Sequence, residues 1–548
     1  MHLANKILPL TIIVIAILLR FWMLGQNPPS LTWDEAAWGY NAYSLGIDGK
    51  DEFGRFLPLD YLESFGDFKP PVYSYLAVVP VKIFGLSEFA VRFPSALFGI
   101  FMVIITFFLV REIFYKSKIR DETALLSAFL LAISPWHIML SRAAFEANVA
   151  TFFIVLGIWL FLLSVHGKRW ILLFSVVSFV LSIYTFNTAR VVTPILVLIL
   201  TFAFRKELWQ RKIETVLAII LGIILILPTL KFLMSPQASL RFKEVNIFSN
   251  IGIIENANKQ IANDNNSIIS KIIHNRRLAF SVEYLRHYFD NLNPDFLFIK
   301  GDGNPKFSTQ NVGQLYLWEV PFFILGILYL IRKKEGYWWI VPVWLLIGIV
   351  PAGAARETPH ALRIENSLPA FQLLSAYGGI AILGAISKMK YQIAKIHIKY
   401  LIFSAVILFL IFNFSYFLHD YLVHYSRQYS GEWQYGYKES IGFIESSVYN
   451  EYDLFYVTPE LGRPYIYYLF YTAKNPEEFR ETATIKRDVF GFVDVRGYDK
   501  FRFAKDIKQE DDRNILHIDL AESVPKNANV VKNFYLLNGQ PILSAYTL

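Results

Sequence analysis

The sequence has no cysteine and few charged residues. The absence of cysteine from all 548 residues excludes disulfide bonds and thiolate metal sites. Charged residues make up 18% of the chain, whereas a soluble globular protein usually carries about a quarter. Internal repeats, low-complexity tracts and a Gly-rich phosphate loop are also missing. The composition therefore points away from an ordinary soluble protein.

Long apolar runs fill most of the chain. Hydrophobic residues reach 54% and the mean hydropathy is +0.38, and many runs approach the roughly 20 residues that span a bilayer. We predict a polytopic α-helical membrane protein with about eleven transmembrane helices. The predicted spans lie near residues 7–25, 90–111, 122–140, 145–165, 170–187, 190–204, 213–234, 315–332, 336–353, 366–386 and 398–418.

The basic residues predict the topology. With the N-terminus in the cytoplasm, the loops rich in Lys and Arg all fall inside, whereas the short outer turns hold isolated arginines. This is the positive-inside pattern of a multi-pass plasma-membrane protein. Because topology explains where the basic residues fall, the net charge of +8 does not indicate a nucleic acid as partner. The apolar run 72–86 is short and contains Pro80 and Lys82. Counting it as a span would invert every later loop, so we predict an interfacial segment.

Three regions are predicted outside the membrane, on its outer face. A transmembrane domain (1–418) would carry a large first outer loop (26–89) with an acidic motif and a second large outer loop (235–314). The tail, 419–548, has alternating apolar stretches such as "YDLFYV" and "NILHIDL" and a helix-like stretch, "YGYKESIGFIESSV". We predict that it forms a small C-terminal α/β domain.

Two groups of candidate residues lie in the first loop. Asp34 and Glu35 are adjacent, between Trp33 and Trp38, just after the first helix. These carboxylates would attract a cationic ligand, or one of them would act as a base. Alternatively, they would only cap the N-terminus of a helix, as acidic residues often do. Lys69, in "DFKPPVYSYL", would bind a phosphate at headgroup depth, or would only extend toward the interface.

Two further groups lie in later outer turns. Arg142 and Glu146, in "SRAAFEAN", are spaced for one helix face and would either form an ion pair or serve a site. Arg356, His360 and Arg363 lie in a turn that the positive-inside rule keeps poor in cations. They would bind phosphate oxygens, or would only contact lipid headgroups. Together, acids and cations on one membrane face suit a substrate with a lipid tail and a phosphate.

These motifs carry a resemblance. "WDEAAWGYNAYSL", "DFKPPVYSYL", "SEFAVRFPSALFG", "SRAAFEAN" and "PHALRIENSLPAF" resemble, in order and spacing over roughly residues 7–385, the GT-C glycosyltransferases. The resemblance is to prokaryotic relatives of protein O-mannosyltransferases and to the lipid A aminoarabinose transferase. It implies transfer of a sugar, with inversion, from a polyprenyl phosphate to an acceptor hydroxyl of a protein, glycan or lipid. By motif, Asp34 matches the position of the family's catalytic acidic residue and Glu146 that of its second acidic residue. Lys69 matches the lysine on the phosphate side.

The complete set of predicted site residues follows from the motifs and the resemblance together. It comprises Asp34, Glu35 and Glu146 as catalytic residues; Lys69, Arg142, Arg356, His360 and Arg363 for the donor phosphate; and Trp33, Trp38, Tyr40, Asp67 and His287 for the substrate. Some family members hold a metal near a histidine in the late large loop. The corresponding stretch here, "NPKFSTQN", has no histidine, which argues against a bound divalent metal ion without excluding one, and no other cofactor is expected.

The chemistry is consistent with these assignments. Asp34 would take the acceptor proton, and a phosphate monoester, with a second pKa of about 6, leaves without a general acid if cations stabilise it. Two other classes stay open. A transporter or flippase of lipid-linked saccharides would also need cations at the headgroup, but mid-helix acids and paired broken helices are not apparent. A structural or assembly protein would explain the tail but not Asp34.

Overall fold

The computed structural model describes residues 4–235, 238, 246–388, 396–487, 493–503 and 513–548. Parts of the predicted second outer loop (236–237 and 239–245) and of a predicted inner loop (389–395) lie outside the described residues. The chain divides into two compact units. Unit 1 comprises Met1–Leu19, Phe98–Leu140 and Ala147–Phe417; unit 2 comprises Arg20–Leu97, Ser141–Glu146 and Leu418–Leu548.

Helices dominate the fold. In chain order they are α1 Ala4–Phe21, α2 Trp33–Asp48, α3 Val72–Phe84, α4 Glu88–Ile113, α5 Arg120–Ile133, α6 Pro135–Arg142, α7 Glu146–Val165, α8 Ile171–Ile183, α9 Ala189–Ala203, α10 Arg205–Trp209, α11 Lys212–Leu233, α12 Ile251–Asn263, α13 Ile268–Ile273, α14 Arg276–Asp290, α15 Glu319–Lys333, α16 Ile340–Gly353, α17 Ala370–Lys388, α18 Ile396–His419, α19 Tyr425–Tyr429, α20 Tyr437–Phe443, α21 Pro464–Tyr471 and α22 Pro476–Thr482.

The long apolar helices confirm a multi-pass membrane protein. Among the described residues, five helical segments are long and apolar enough to cross a bilayer, and a sixth is added if α5 and α6, bent by 56°, count as one span. The five are Glu88–Ile113, Glu146–Val165, Lys212–Leu233, Glu365–Gly384 and Ile407–Trp433. All eleven predicted spans contain helix, although several, such as α8, are short. The count of eleven stays a prediction.

Helix α3 has the length expected of a segment that does not cross the membrane. Its 13 residues extend about 20 Å, less than the roughly 30 Å of a hydrocarbon core. It contains Pro80 and carries Lys82 in its last turn. Its position at the interface stays a prediction.

In unit 1, α15 and α17 pack backbone against backbone. A Cβ atom on Gly326 would lie 1.9 Å from the carbonyl oxygen of Leu374, and one on Gly378 would lie 2.0 Å from that of Phe322. Small residues permit such close approach of helices in membranes. Glycine is therefore required at both positions by the contact between the two helices.

In unit 2, local signals in the sequence explain the first outer loop. Thr32 and Glu35 form a capping box at the start of α2, and Gly49 ends the helix with a φ of 73°. Strands β1 (Leu62–Ser64) and β2 (Asp67–Lys69) pair antiparallel, with Leu62 opposite Lys69. The two residues between the strands, Phe65 and Gly66, have φ values of 57° and 79°, as a type I′ hairpin turn requires.

The tail carries a mixed seven-stranded sheet in the order β4-β5-β6-β3-β7-β9-β8. Its strands are β3 Leu454–Val457, β4 Thr484–Arg487, β5 Val493–Tyr498, β6 Phe501–Arg502, β7 Ile515–Leu520, β8 Asn529–Tyr535 and β9 Pro541–Thr547. Strand β3 is parallel to both β6 and β7, and the other pairs are antiparallel. The stretches "YDLFYV" and "NILHIDL" provide β3 and β7.

The tail and the first loop belong to the same compact unit. Helix α21 lies against α2, where a Cβ atom on Gly39 would lie 2.4 Å from the ring of Phe470. The hydroxyl of Tyr467 donates to the carbonyl oxygen of Leu31 at 3.1 Å. Contacts from α21 of the tail therefore help to position helix α2. A separate tail domain beginning at residue 419 stays a prediction.

We predict that Gly378→Ala destabilises the protein. The added methyl group meets backbone atoms that cannot rotate away, and such overpacking reduces the free energy of unfolding by about 1–3 kcal/mol. Gly384→Ala is the matched control, because Gly384 lies in the same helix with no heavy atom within 4 Å of its added Cβ. Thermal unfolding in detergent measures both variants, and equal midpoints would contradict the close packing.

Candidate active site

Asp34 and Lys69 form an ion pair at the centre of the first loop. Asp34 lies in the first turn of α2 and Lys69 is the last residue of β2. The Lys69 side chain is 6% exposed, whereas that of Asp34 is 49% exposed. The ammonium also lies 5.0 Å from the ring centroid of Trp38 and 4.6 Å from that of Phe65. Lys69 is therefore held inside the protein and directed at a carboxylate that solvent reaches.

The turn of the β1–β2 hairpin places Lys69. Phe65 has a left-handed backbone conformation, which is uncommon for a bulky residue. Such strain is kept where the surroundings enforce it and often accompanies function. Here the Phe65 ring covers the Lys69 ammonium. The hairpin thus supplies both the cation and one wall of its aromatic surroundings.

Glu35, the neighbour of Asp34 in the sequence, is completely buried. One carboxylate oxygen accepts from Arg92 Nε at 2.8 Å and from the Ala144 amide at 2.9 Å; the other accepts from the Thr32 amide at 2.9 Å. Arg92 also donates to the carbonyl oxygen of Pro28 at 2.8 Å. With its oxygens occupied in this way, Glu35 fixes the start of α2, so the geometry favours a positioning role over the predicted catalytic one.

Glu146 begins α7 and belongs to the same compact unit as Asp34 and Lys69. It lies within electrostatic range of both residues and of Asp67. The Ala144 amide, two residues earlier, donates to Glu35, which ties this segment to α2. The structure thus brings together the two acids and the lysine that the sequence singled out.

Arg142 is buried and connects three segments of unit 2. It donates to the carbonyl oxygens of Asn27 at 2.9 Å and Arg20 at 3.4 Å, and its guanidinium lies over the ring of Tyr421. These contacts join the end of α6 to the turn after α1 and to the segment after α18. The geometry favours a structural role for Arg142, and its predicted contact with donor phosphate stays a prediction.

The predicted substrate-binding aromatic residues differ in position. Trp33 is partly exposed beside Asp34. Trp38 is 1% exposed and packs on Tyr73 and Lys69. The hydroxyl of Tyr40 donates to the carbonyl oxygen of Lys474 in the tail at 3.0 Å. Trp33 is therefore the accessible one, whereas Trp38 and Tyr40 pack within the unit.

Of the remaining predicted residues, Asp67 begins β2 in unit 2, whereas the others lie in unit 1. Arg356 donates to the carbonyl oxygen of Asn246 at 3.1 Å and Arg363 to that of Glu357 at 3.1 Å. His287 Nδ1 donates to the carbonyl oxygen of Ala355 at 2.7 Å.

His360 is also in unit 1 and is 8% exposed. Burial lowers its pKa to about 3, which favours the neutral ring in these surroundings. Roles for Arg356, His360 and Arg363 in donor binding, and for Asp67 and His287 in substrate binding, stay predictions.

Sequence inspection missed a buried cluster around Glu52. This carboxylate accepts from Tyr465 of the tail at 2.9 Å and from Asn41 Nδ2 at 2.9 Å. Burial raises the pKa of Glu52 to about 8, even though these hydrogen bonds favour its charged form. The phenol oxygen of Tyr465 in turn accepts from the Phe65 amide at 3.3 Å. The cluster therefore links the tail to the hairpin that carries Lys69.

Arg92 was missed as well, although "SEFAVRFPSALFG" contains it. An arginine at the start of an apolar span is a signal for a buried partner. In the described part of the chain, no group of three or more His, Cys, Asp or Glu side chains is arranged to hold a metal. Metal dependence stays a prediction.

Comparisons with known proteins identify a matching family and two relatives. Residues 68–232 match the family model of dolichyl-phosphate-mannose-protein mannosyltransferases. An uncharacterized protein of Aquifex aeolicus (strain VF5) is 30% identical over 208 residues, which is 37% of this chain and 39% of that protein. "Putative mannosyltransferase YkcB" of Bacillus subtilis (strain 168) is 25% identical over 155 residues, 28% of this chain and 21% of the relative. The alignments span less than half the length of either relative.

A solved structure matches nearly the whole chain. ArnT from Cupriavidus metallidurans in the apo state covers 99% of this chain and 98% of its own, with a TM-score of 0.54 and 12% identity. The chain has the GT-C glycosyltransferase fold. The same protein bound to undecaprenyl phosphate gives a TM-score of 0.52 and 13% identity over 98% of this chain and 97% of its own. The resemblance stated from the sequence motifs is thereby confirmed for the fold.

We predict that the two adjacent carboxylates, Asp34 and Glu35, differ in their effect on stability. Glu35→Gln leaves Arg92 as a buried cation without its carboxylate, and breaking such a pair lowers the free energy of unfolding by about 3–5 kcal/mol. Asp34→Asn also removes the anion of a buried cation, but this pair is open to water because Asp34 is half exposed, so its midpoint should fall by less than that of Glu35→Gln. Thermal unfolding tests this, and equal loss in both variants would contradict the positioning role.

We also predict a pH dependence from Glu52. Its pKa in the folded protein is about 8, against an ordinary value of 4.5. Between these values the folded protein holds a proton that the unfolded chain releases, so stability falls as pH rises from about 4.5 to about 8. The slope contributed is up to about 1.4 kcal/mol per pH unit. As pH rises from 6 to 8, the unfolding midpoint should therefore fall less in Glu52→Gln than in the wild type.

The control for the pH series is Glu63→Gln, because Glu63 is paired with Arg487 at 2.6 Å. This variant should keep the wild-type dependence on pH between 6 and 8. An unchanged slope in Glu52→Gln would show that its carboxyl does not titrate in this range.

Proposed function

We propose that this chain is an integral membrane glycosyltransferase that moves a sugar from a polyprenyl-phosphate donor to an acceptor hydroxyl on the outer face of the membrane, with inversion at C1. The observation that carries the proposal is the pair of Asp34, which solvent reaches, and buried Lys69. The family match over residues 68–232 and the fold shared with a protein solved with undecaprenyl phosphate support it.

In the proposed reaction, the acceptor oxygen attacks C1 while the bond between C1 and the phosphate oxygen breaks. Asp34 takes the acceptor proton, and the polyprenyl phosphate leaves with the bonding electrons. A positioned general base contributes about 10²–10⁴-fold to the rate. The phosphate needs no general acid, since its second pKa is about 6, but its growing charge needs a cation. Lys69 supplies that cation from a site where aromatic rings exclude water.

The ion pair suggests how donor binding prepares the base. Lys69 donates to Asp34 in this structure. A donor phosphate that accepts from the Lys69 ammonium would take the place of the Asp34 carboxylate. Asp34 would then be free to bind the acceptor hydroxyl. In this mechanism the base becomes available only when the donor is present, which limits loss of the sugar to water.

Two further residues have proposed roles at the sugar. Glu146 lies within electrostatic range of Asp34 and Lys69 and would orient sugar or acceptor hydroxyls through hydrogen bonds. Trp33 is partly exposed next to Asp34 and offers a flat apolar face against which a pyranose ring packs. Arg356 and Arg363 are proposed as further contacts of the donor, carried over from the sequence motifs.

The proposed location is the plasma membrane, with the N-terminus in the cytoplasm and the active site and tail outside. The distribution of lysine and arginine between the two sets of loops supports this orientation. The donor sugar is a hexose such as mannose or an aminopentose, and the acceptor is a protein, a glycan or a lipid. Mass spectrometry of lipid that copurifies with the protein identifies the sugar.

We predict that Asp34→Asn abolishes transfer but keeps donor binding. Release of undecaprenyl phosphate from undecaprenyl-phosphate-linked mannose, glucose or aminoarabinose, with cell-envelope extract as acceptor, should fall by about 10²–10⁴-fold. Binding of undecaprenyl phosphate should stay within a few-fold of the wild type. Asp60→Asn is the matched control, because Asp60 lies in the same loop and pairs with Arg55; its turnover should be unchanged.

The same variants separate the proposed enzyme from a lipid-linked saccharide transporter. A transporter would move labelled lipid across proteoliposomes equally well in the wild type and in Asp34→Asn, and neither protein would release undecaprenyl phosphate. Wild-type release that survives in Asp34→Asn would remove Asp34 from the role of base.

A further inference from the structure

We propose that Arg463 of the tail binds an oxyanion of the substrate at the Asp34–Lys69 pair, so that residues 458–463 form a wall of the active site. The oxyanion is the phosphate of the lipid donor or an acidic group on the acceptor. This inference rests on the proposed glycosyl transfer and extends it by adding a specificity-determining residue from the C-terminal part of the chain.

The backbone before Arg463 is fixed against the residue preceding Asp34. Gly462 has a φ of 130°, and a Cβ atom there would lie 2.8 Å from the Trp33 ring. Both the conformation and the space require glycine. The segment therefore lies in contact with Trp33, in the first turn of α2.

The residues after Arg463 are fixed as well. Pro464 begins α21 with a restricted backbone. The phenol of Tyr465 donates to Glu52 at 2.9 Å and accepts from the Phe65 amide at 3.3 Å. Arg463 is thus held between two anchored neighbours, and its backbone position beside the hairpin is defined.

The Arg463 side chain shares an aromatic ring with Lys69. Its guanidinium carbon lies 5.7 Å from the Phe65 ring centroid, and the Lys69 ammonium lies 4.6 Å from the same centroid. Two cations on one ring repel each other. Lys69 is neutralised by Asp34, but an anion at this position would be attracted by both.

The charge on Arg463 has no acidic counterpart in the described part of the chain. Other tail arginines near the first loop are paired: Arg480 with Asp48, and Arg487 with Glu63 at 2.6 Å. Arg463 is exposed, and its contact is the Phe65 ring. A guanidinium offers a fork of donors that fits phosphate and carboxylate oxygens, so an exposed and positioned Arg463 is suited to bind such a group.

The test compares Arg463→Ala and Arg463→Lys with Arg496→Ala. Arg496 is the matched control because it lies in β5 and pairs with Asp494 of the same strand. Undecaprenyl phosphate binding and the KM for the acceptor extract are measured for each full-length protein, with thermal unfolding to confirm folding. Loss of a charged contact should either weaken undecaprenyl phosphate binding or raise the acceptor KM, by about ten- to hundredfold. Arg463→Lys should recover part of this loss.

The two measurements together identify the source of the oxyanion. Weaker binding of undecaprenyl phosphate assigns Arg463 to the donor phosphate, whereas a higher acceptor KM with unchanged undecaprenyl phosphate binding assigns it to an acidic acceptor. Wild-type values of both in Arg463→Ala overturn the proposal. Should Arg463→Ala fail to fold, the same two measurements on Arg463→Gln decide. If the wild-type protein released no undecaprenyl phosphate from any of the lipid-linked sugars, the proposed function itself would be overturned.

Discussion

The structure depends on one electrostatic constraint, the burial of the Lys69 ammonium beside the first turn of α2. An ammonium removed from water is stable only with an anion and a favourable surrounding. The protein supplies both, as the carboxylate of Asp34 and the rings of Trp38 and Phe65. Because Asp34 is half exposed, the pair is open on the carboxylate side. A buried cation behind a reachable carboxylate suits a reaction in which a phosphate departs and a proton is taken.

Neighbouring segments keep this pair in place. Glu35 and Arg92 join α2 to α4 through an ion pair that water does not reach, and the hairpin turn at Phe65 carries Lys69. Tyr465 of the tail connects to the same hairpin through Glu52 and the Phe65 amide. The tail therefore takes part in positioning the hairpin that carries Lys69. This is why the first loop and the tail share one compact unit.

The two adjacent carboxylates illustrate how helix geometry separates roles. Successive residues on a helix project about 100° apart, so Asp34 and Glu35 point to different surroundings. One reaches a lysine and solvent, whereas the other caps the helix and neutralises an arginine. The repulsion expected of neighbouring acids is offset because each has its own cation. Two adjacent carboxylates thus have different surroundings, one open to solvent and one buried.

The sequence by itself determined the membrane class, the helical segments and the GT-C resemblance, because apolar length, loop charge and motif order are local properties. It also singled out Asp34, Lys69 and Glu146, which belong to one unit. Only the tertiary structure decided that Glu35 pairs with Arg92, 57 positions along the chain, that Tyr40 packs against the tail, and that burial favours the neutral ring of His360. Hydrogen-bond partners and desolvation depend on residues distant in sequence, so no local pattern reveals them.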